Sequence, residues 1–238
     1  MLAGGAGYLG STLARGMRES GMTVIILDVT ASDRRLSKPV SGLIRFACDV
    51  TSKDDVIRSR DIIVQRYRRV DVLLNMAGAN APTPFFDISQ QEFEGIIHVN
   101  LLGTLYGCQV FGEHMVQRRR GSIVNFSSVS CGPPLSKAFV YSTAKAGVFN
   151  LTQNLAREWA PFQVRVNALR PGFFPTEWSR KHFITPERQQ AILNHTPMKR
   201  YGRPGELVGA VLWLSSDAAS FVTGAEITVD GGFTCMTI

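Results

Sequence analysis

Three side chains in this 238-residue sequence have types and spacings suited to proton chemistry: Ser128, Tyr141 and Lys145. Tyr141 and Lys145 are four residues apart in a segment that reads as helix, so they share one face and come within reach of each other. A free phenol titrates near about 10 and a free ammonium near about 10.4. A cation beside the phenol favours the phenolate, so the pairing is expected to draw the tyrosine pKa toward neutrality, where general acid–base catalysis is most effective. Ser128 directly follows the apolar run GSIVNFS, which reads as a buried strand. Its hydroxyl can hydrogen-bond the same carbonyl oxygen that Tyr141 would protonate. A Tyr–Lys pair on a helix is by itself commonplace, so the rest of the chain decides its meaning.

The elements that must position these residues follow from periodicity. Gly4, Gly7 and Gly10 stand immediately before an apolar-periodic helix carrying Leu9, Leu13 and Met17. Glycines there let a backbone approach a pyrophosphate, which rests on the helix N-terminus. The β-branched run Met22 to Leu27 reads as a buried strand and ends at Asp28, 28 − 10 = 18 residues after the last glycine. That is close to the roughly 20 expected of the carboxylate that binds a ribose 2′-hydroxyl, and a carboxylate there repels a 2′-phosphate. NAD is therefore favoured over NADP, with Arg34 and Arg35 nearby as opposing charges. Only Met1, Leu2 and Ala3 precede the glycines, so the first strand is expected to be cut short, as if the chain start were incomplete.

Further strands are expected over Leu43 to Cys48, Val70 to Leu74, Ser122 to Phe126, Gln163 to Leu169 and Ala225 to Val229. Helices are expected over Asp54 to Tyr67, Ser89 through Gln117, the Tyr141 segment and Leu207 to Ser215. Strands alternating with helices imply a parallel sheet covered on both faces. Asp49 is either an acceptor for an adenine amino group or part of a helix cap with Thr51 or Ser52. The small residues of Asn75-Met76-Ala77-Gly78 leave room for a cofactor at a strand's carboxyl end. Asn100 is a polar amide among Val99, Leu101 and Leu102, either satisfied in the core or supporting catalysis. After Arg170-Pro171-Gly172, residues 173–200 read as an irregular substrate lid carrying Thr176, Trp178, Arg180 and Lys181.

Composition excludes several classes. Hydrophobic residues make up 45% and charged residues 19%, which fits one globular domain over 1–238. The net charge of +7 is spread over short basic clusters such as Arg118-Arg119-Arg120, better explained as helix-end charges than as a nucleic-acid surface. The four cysteines and four histidines are dispersed, so neither a disulfide framework nor a metal site is expected. No apolar run reaches membrane-spanning length and no signal peptide opens the chain, which makes a cytoplasmic protein with no membrane partner the expectation.

Together these features resemble the short-chain dehydrogenase/reductase family over essentially the whole chain. The motifs are GGAGYLG, Asp28, Asp49-Val50, NMAG, Asn100, Ser128, YSTAK, RPG, FVTG and VDGG, with Ser128 and Tyr141 thirteen apart. The resemblance implies a Rossmann-like, doubly wound parallel sheet of about seven strands in one α/β domain. It implies Tyr141 as general acid and base, Lys145 holding the nicotinamide ribose, Ser128 orienting the substrate carbonyl, and Asn100 positioning a water in a proton relay. The cofactor would be held by Gly4, Gly7, Tyr8, Leu9, Asp28, Asp49, Val50, Asn75, Ala77, Gly78, Tyr141, Lys145, Pro171, Gly172, Phe174 and Thr176. Ala3 and Met76 depart from the family pattern, where Thr and Asn are usual, and Tyr8 replaces a usual glycine. Toward the C-terminus the chain resembles the sugar-acid reductase branch that includes D-mannonate oxidoreductase (fructuronate reductase). Ser128, Tyr141, Trp178 and Arg180 would meet that substrate. Arg180, Lys181, Lys199 or Arg203 would pair with its carboxylate or else be surface charges. Alternatives are another carbonyl substrate (3-oxoacyl, steroid-like or cyclic) or a non-catalytic dinucleotide sensor. A homotetramer is also implied.

Overall fold

The computed structural model describes residues 1–31, 43–132 and 135–236; Arg34 and Arg35 lie outside the described residues. Seven strands form one parallel sheet: β1 (Leu2–Ala3), β2 (Val24–Asp28), β3 (Leu43–Ala47), β4 (Val72–Asn75), β5 (Gly121–Phe126), β6 (Val164–Pro171) and β7 (Glu226–Val229). Their spatial order is β3-β2-β1-β4-β5-β6-β7. The order reverses between β1 and β4, and the crevice at the carboxyl ends of strands beside such a reversal is where open α/β sheets bind ligands. β1 is as short as the sequence implies, yet it holds the centre: Leu2 pairs with Ile26 on one side and Leu74 on the other.

The helices are α1 (Tyr8–Glu19), α2 (Lys53–Tyr67), α3 (Gln90–Ile97), α4 (Gly103–Arg118), α5 (Phe139–Trp159), α6 (Glu177–His182), α7 (Pro186–His195) and α8 (Val208–Ser215). Alternating strand residues feed two cores. Ile25, Leu27, Phe46, Leu73, Ile123 and Val166 pack with buried residues of α2, α4 and α5. Leu2, Val24, Ile26, Leu74, Val124 and Leu169 pack with α1 and α8. Each such fully buried side chain is worth about 1.5–3 kcal/mol. Phe111, Met115 and Val148 are buried within the single chain, so they serve as core. Among the described residues no helix is long and apolar enough to cross a membrane.

The stretch Ser89 to Gln117 is helical as expected, though not uniformly α: a π-helical turn, His98–Leu102, separates α3 from α4 and carries Asn100. Single π turns of this kind often occur at functional sites. One expectation is corrected: segment 173–200 is not irregular, because it contains α6 and α7. Thr176 accepts from Ser179 N and forms a capping box with Ser179. Thr185 caps α7, with Pro186 in its first turn. The helix-start signals in the sequence were a threonine at each cap and, after Thr185, a proline and an acidic residue in the first turn.

Candidate active site

A cleft of about 900 Å³ opens at the carboxyl ends of the central strands. It runs from the β1–α1 turn past Asp28 and Asp49 to Ser128, Tyr141 and Lys145, and on to the lid. At one end the chain makes a tight backbone turn. Gly4 has φ +77°, and a Cβ there would lie 2.4 Å from Ala77 Cα. Gly10 packs α1 onto the turn so closely that a Cβ would lie 2.5 Å from Gly5 O. Gly7, by contrast, lines the cleft, and a Cβ there would meet nothing within 4 Å. It is the N-cap of α1, with no side-chain cap and no acidic residue in the first turn. The helix terminus is therefore free to receive an anion.

Asp28 ends β2 at the edge of this turn. Its Oδ2 accepts from Ala6 N at 3.0 Å, and its Oδ1 accepts from Thr30 N and Thr30 Oγ1. The carboxylate is thus fixed facing the cleft. Asp49 is fixed likewise by Thr51 N and Thr51 Oγ1, while Ser52 is the cap that accepts from Asp55 N. Tyr8, Leu9, Val50, Ala77, Gly78, Pro171, Gly172, Phe174 and Thr176 also line the cleft. Asn75 does not. Its Nδ2 donates to Asn125 Oδ1 at 2.9 Å and to Cys108 Sγ, beneath the sheet's end and against Gly107. The Asn75 side chain therefore does not face the cleft: strand alternation turns it into the core while the next residues open to the cleft.

At the other end, Ser128 is the N-cap of a short 3₁₀ turn and its Oγ accepts from Ser130 N at 3.2 Å. Lys145 is buried; its Nζ donates to Phe126 O at 2.9 Å and sits 5.7 Å from the Tyr141 ring centroid. Desolvation pushes Lys145 down to about 8. It pushes Tyr141 up to about 12, opposed by the Ser128 hydroxyl. The expected fall of the tyrosine pKa is corrected: the loss of water around the phenol outweighs the Ser128 hydrogen bond, the one interaction that opposes it. Asn100 is fully buried, and its Nδ2 donates to Ala79 O at 2.8 Å and Ile96 O at 2.9 Å. Its Oδ1 has no partner. That oxygen lies 3.0 Å from the position of a Gly78 Cβ, and Lys145 Nζ lies 3.9 Å from the same point.

The basic lid residues do not reach the cleft. Among the described residues lining it, the charged side chains are Asp28, Asp49 and Lys145. Arg180 instead stands 5.7 Å over the Tyr201 ring, Lys199 Nζ donates to Asn194 O, and Arg203 lies near Glu206. The side chain of Trp178 is outside the described residues. Sequence reasoning missed Leu135, Ala138, Phe183 and Ile184, which form an apolar wall at this end. Their only signal was proximity to Ser128 and to the lid.

The free helix terminus, the glycine turn and the carboxylate at the end of β2 suit the pyrophosphate and ribose of a dinucleotide. Comparison with known proteins agrees. Residues 5–234 match the family described as Enoyl-(Acyl carrier protein) reductase. The chain is 34% identical to a Bacillus subtilis protein described as "Uncharacterized oxidoreductase UxuB", over 98% of this chain and 93% of the other. Among solved structures it matches a gluconate 5-dehydrogenase from Burkholderia cenocepacia in complex with NADP and tartrate, at 29% identity and TM-score 0.91, covering 99% and 95% of the two chains. It also matches a short chain dehydrogenase from Leptospira borgpetersenii with bound NAD+, at 30% identity and TM-score 0.88, covering 98% and 91%. The chain belongs to the short-chain dehydrogenase/reductase family. It is an oxidoreductase of CH–OH groups that uses a nicotinamide dinucleotide.

Proposed function

We propose that the protein interconverts a ketone and a secondary alcohol on a hydroxylated, sugar-like substrate, with Tyr141 as the proton donor and acceptor. The observation that carries this reading is the convergence of Ser128, Tyr141, Lys145 and Asn100 at one end of a dinucleotide-sized cleft. The nicotinamide, when bound, supplies or takes the hydride. The chain's residues do the rest. A carbonyl oxygen placed between the Ser128 hydroxyl and the Tyr141 phenol is oriented by the first and protonated by the second. The high pKa keeps Tyr141 protonated at neutral pH, as a general acid must be. The Lys145 ammonium stabilises the phenolate left behind and holds the ribose. A water accepted by the orphaned Asn100 Oδ1 and reached by Lys145 carries a replacement proton inward.

NAD is the preferred dinucleotide in this reading, because Asp28 faces the ribose end and repels a 2′-phosphate. The substrate in this reading is a sugar acid, fructuronate- or mannonate-like; the match to a gluconate 5-dehydrogenase supports the sugar-acid class, while the basic lid residues, which do not line the cleft, give it no support. A second reading, a less polar carbonyl compound, is favoured by the apolar wall of Leu135, Phe183 and Ile184. In this reading the active unit is a homotetramer, as the family resemblance implies. Absorbance of NADH and NADPH followed with fructuronate, tagaturonate, 5-ketogluconate and a cyclic ketone separates these readings. Turnover of a keto sugar acid with NADH is expected. Turnover of the cyclic ketone alone would discard the sugar-acid assignment, and preference for NADPH would discard the role given to Asp28.

A further inference from the structure

The two walls at the substrate end of the cleft come from different parts of the chain, and one side chain joins them. Leu135 belongs to the loop between Ser128 and Tyr141; Phe183 and Ile184 follow α6 in the lid. Arg188, in the first turns of α7, bridges the two. Its Nη1 donates to Ser136 Oγ at 2.5 Å and its Nη2 donates to Ser136 O at 2.9 Å. The same guanidinium stacks 4.1 Å from the centroid of the Phe183 ring. Among the described residues no carboxylate is paired with Arg188, so this cation is held by the loop and the ring and not by an ion pair.

We propose that Arg188 is a positioning residue that pins the lid to the catalytic loop, setting the spacing of Leu135 against Phe183 and therefore the fit of the substrate. The planar fork explains why an arginine stands here. It makes two directed bonds to one residue while its flat face covers an aromatic ring, which an ammonium cannot do. Ser136 lies one residue from Leu135, and Phe183 is itself the ring under the guanidinium, so the pin acts directly on both walls. The pin joins residues 52 apart in sequence, and its loss loosens both segments but does not touch the dinucleotide end of the cleft.

Hydrogen exchange read by mass spectrometry tests this without knowledge of the substrate. Arg188→Met is expected to speed exchange about tenfold in both 135–138 and 177–185, as loss of charge-assisted hydrogen bonds would. Arg188→Lys is expected to behave nearly the same, because it keeps the charge and loses the fork. Ser136→Ala, which keeps the carbonyl bond, gives a smaller change in the same two segments. With a substrate found by the panel above, Arg188→Met raises KM about tenfold, leaves kcat within about twofold and leaves NADH affinity unchanged. The kinetic arm rests on the proposed function; the exchange arm does not. Exchange faster in the lid alone, full rescue by lysine, or loosening spread over the whole chain would each overturn the pin.

Discussion

Tyr141 and Lys145 show how one residue spacing carries two different electrostatic outcomes. The four-residue separation on α5 brings them together, but the buried setting decides their protonation. Desolvation disfavours charge on both, so the phenol rises to about 12 and the ammonium falls to about 8. Asn100 belongs at this scale too. It is held by two carbonyls through Nδ2 and leaves Oδ1 unsatisfied beside Gly78. Asn100→Ala should lower turnover at least about tenfold and cost about 1–3 kcal/mol of stability, because Ala79 O and Ile96 O lose a donor. Turnover assays paired with urea unfolding check both numbers; undiminished turnover would remove Asn100 from the relay. Ser128, Tyr141 and Lys145 were legible in the sequence because helical spacing and a strand end locate them without tertiary knowledge. Asn75 was not. Whether a residue at a strand's end faces the cleft or the core depends on the pleat, and Gly107 on α4 makes room for the core option.

At the scale of elements, the β1–α1 turn separates stability from binding. Gly4 has a positive φ and lies against Ala77 backbone, whereas Gly7 faces open space in the cleft. Gly4→Ala should therefore destabilise by about 2 kcal/mol or more, since neither the dihedral nor the neighbour can give. Gly7→Ala should leave the urea midpoint unchanged and weaken NADH binding, because its methyl enters the cleft. Equal effects of the two changes on unfolding would contradict this division. The strands were readable from apolar runs, and their observed bounds differ from the expected ones by only a residue or two. The lid was misread because aromatic and charged residues hid the periodicity of α6 and α7. The Thr176 and Thr185 caps were the better guide. The basic lid residues misled for a further reason: charge in a sequence gives no direction, and Arg180 turns toward Tyr201.

At the scale of the molecule, a buried ammonium couples the fold to pH. The unfolded Lys145 titrates near about 10.4, and the folded one at about 8. Between those values the unfolded chain keeps a proton that the folded chain has released, so stability from this group rises with pH. Below about 8 both states are protonated and its contribution is flat and unfavourable. The stability of the protein relative to Lys145→Met should therefore increase by about 1–3 kcal/mol as pH goes from about 7 to 10. Urea midpoints of the two proteins across that range provide the measurement; a difference that stays level or shrinks would refute the assignment. The parallel sheet and its seven strands were implied by the alternation of strands and helices and by family motifs spread along the chain. The apolar wall was not implied, since it arises only when the lid folds back over the loop after Ser128.

The central claim is that Tyr141 moves the proton in a dinucleotide-dependent carbonyl reduction. NADH consumption with a keto sugar acid, compared between the unaltered protein and Tyr141→Phe, tests it most directly. The phenylalanine keeps the ring and loses only the hydroxyl, so turnover should fall about 10²–10⁴-fold while NADH binding is retained. Turnover unchanged by the substitution would contradict the account.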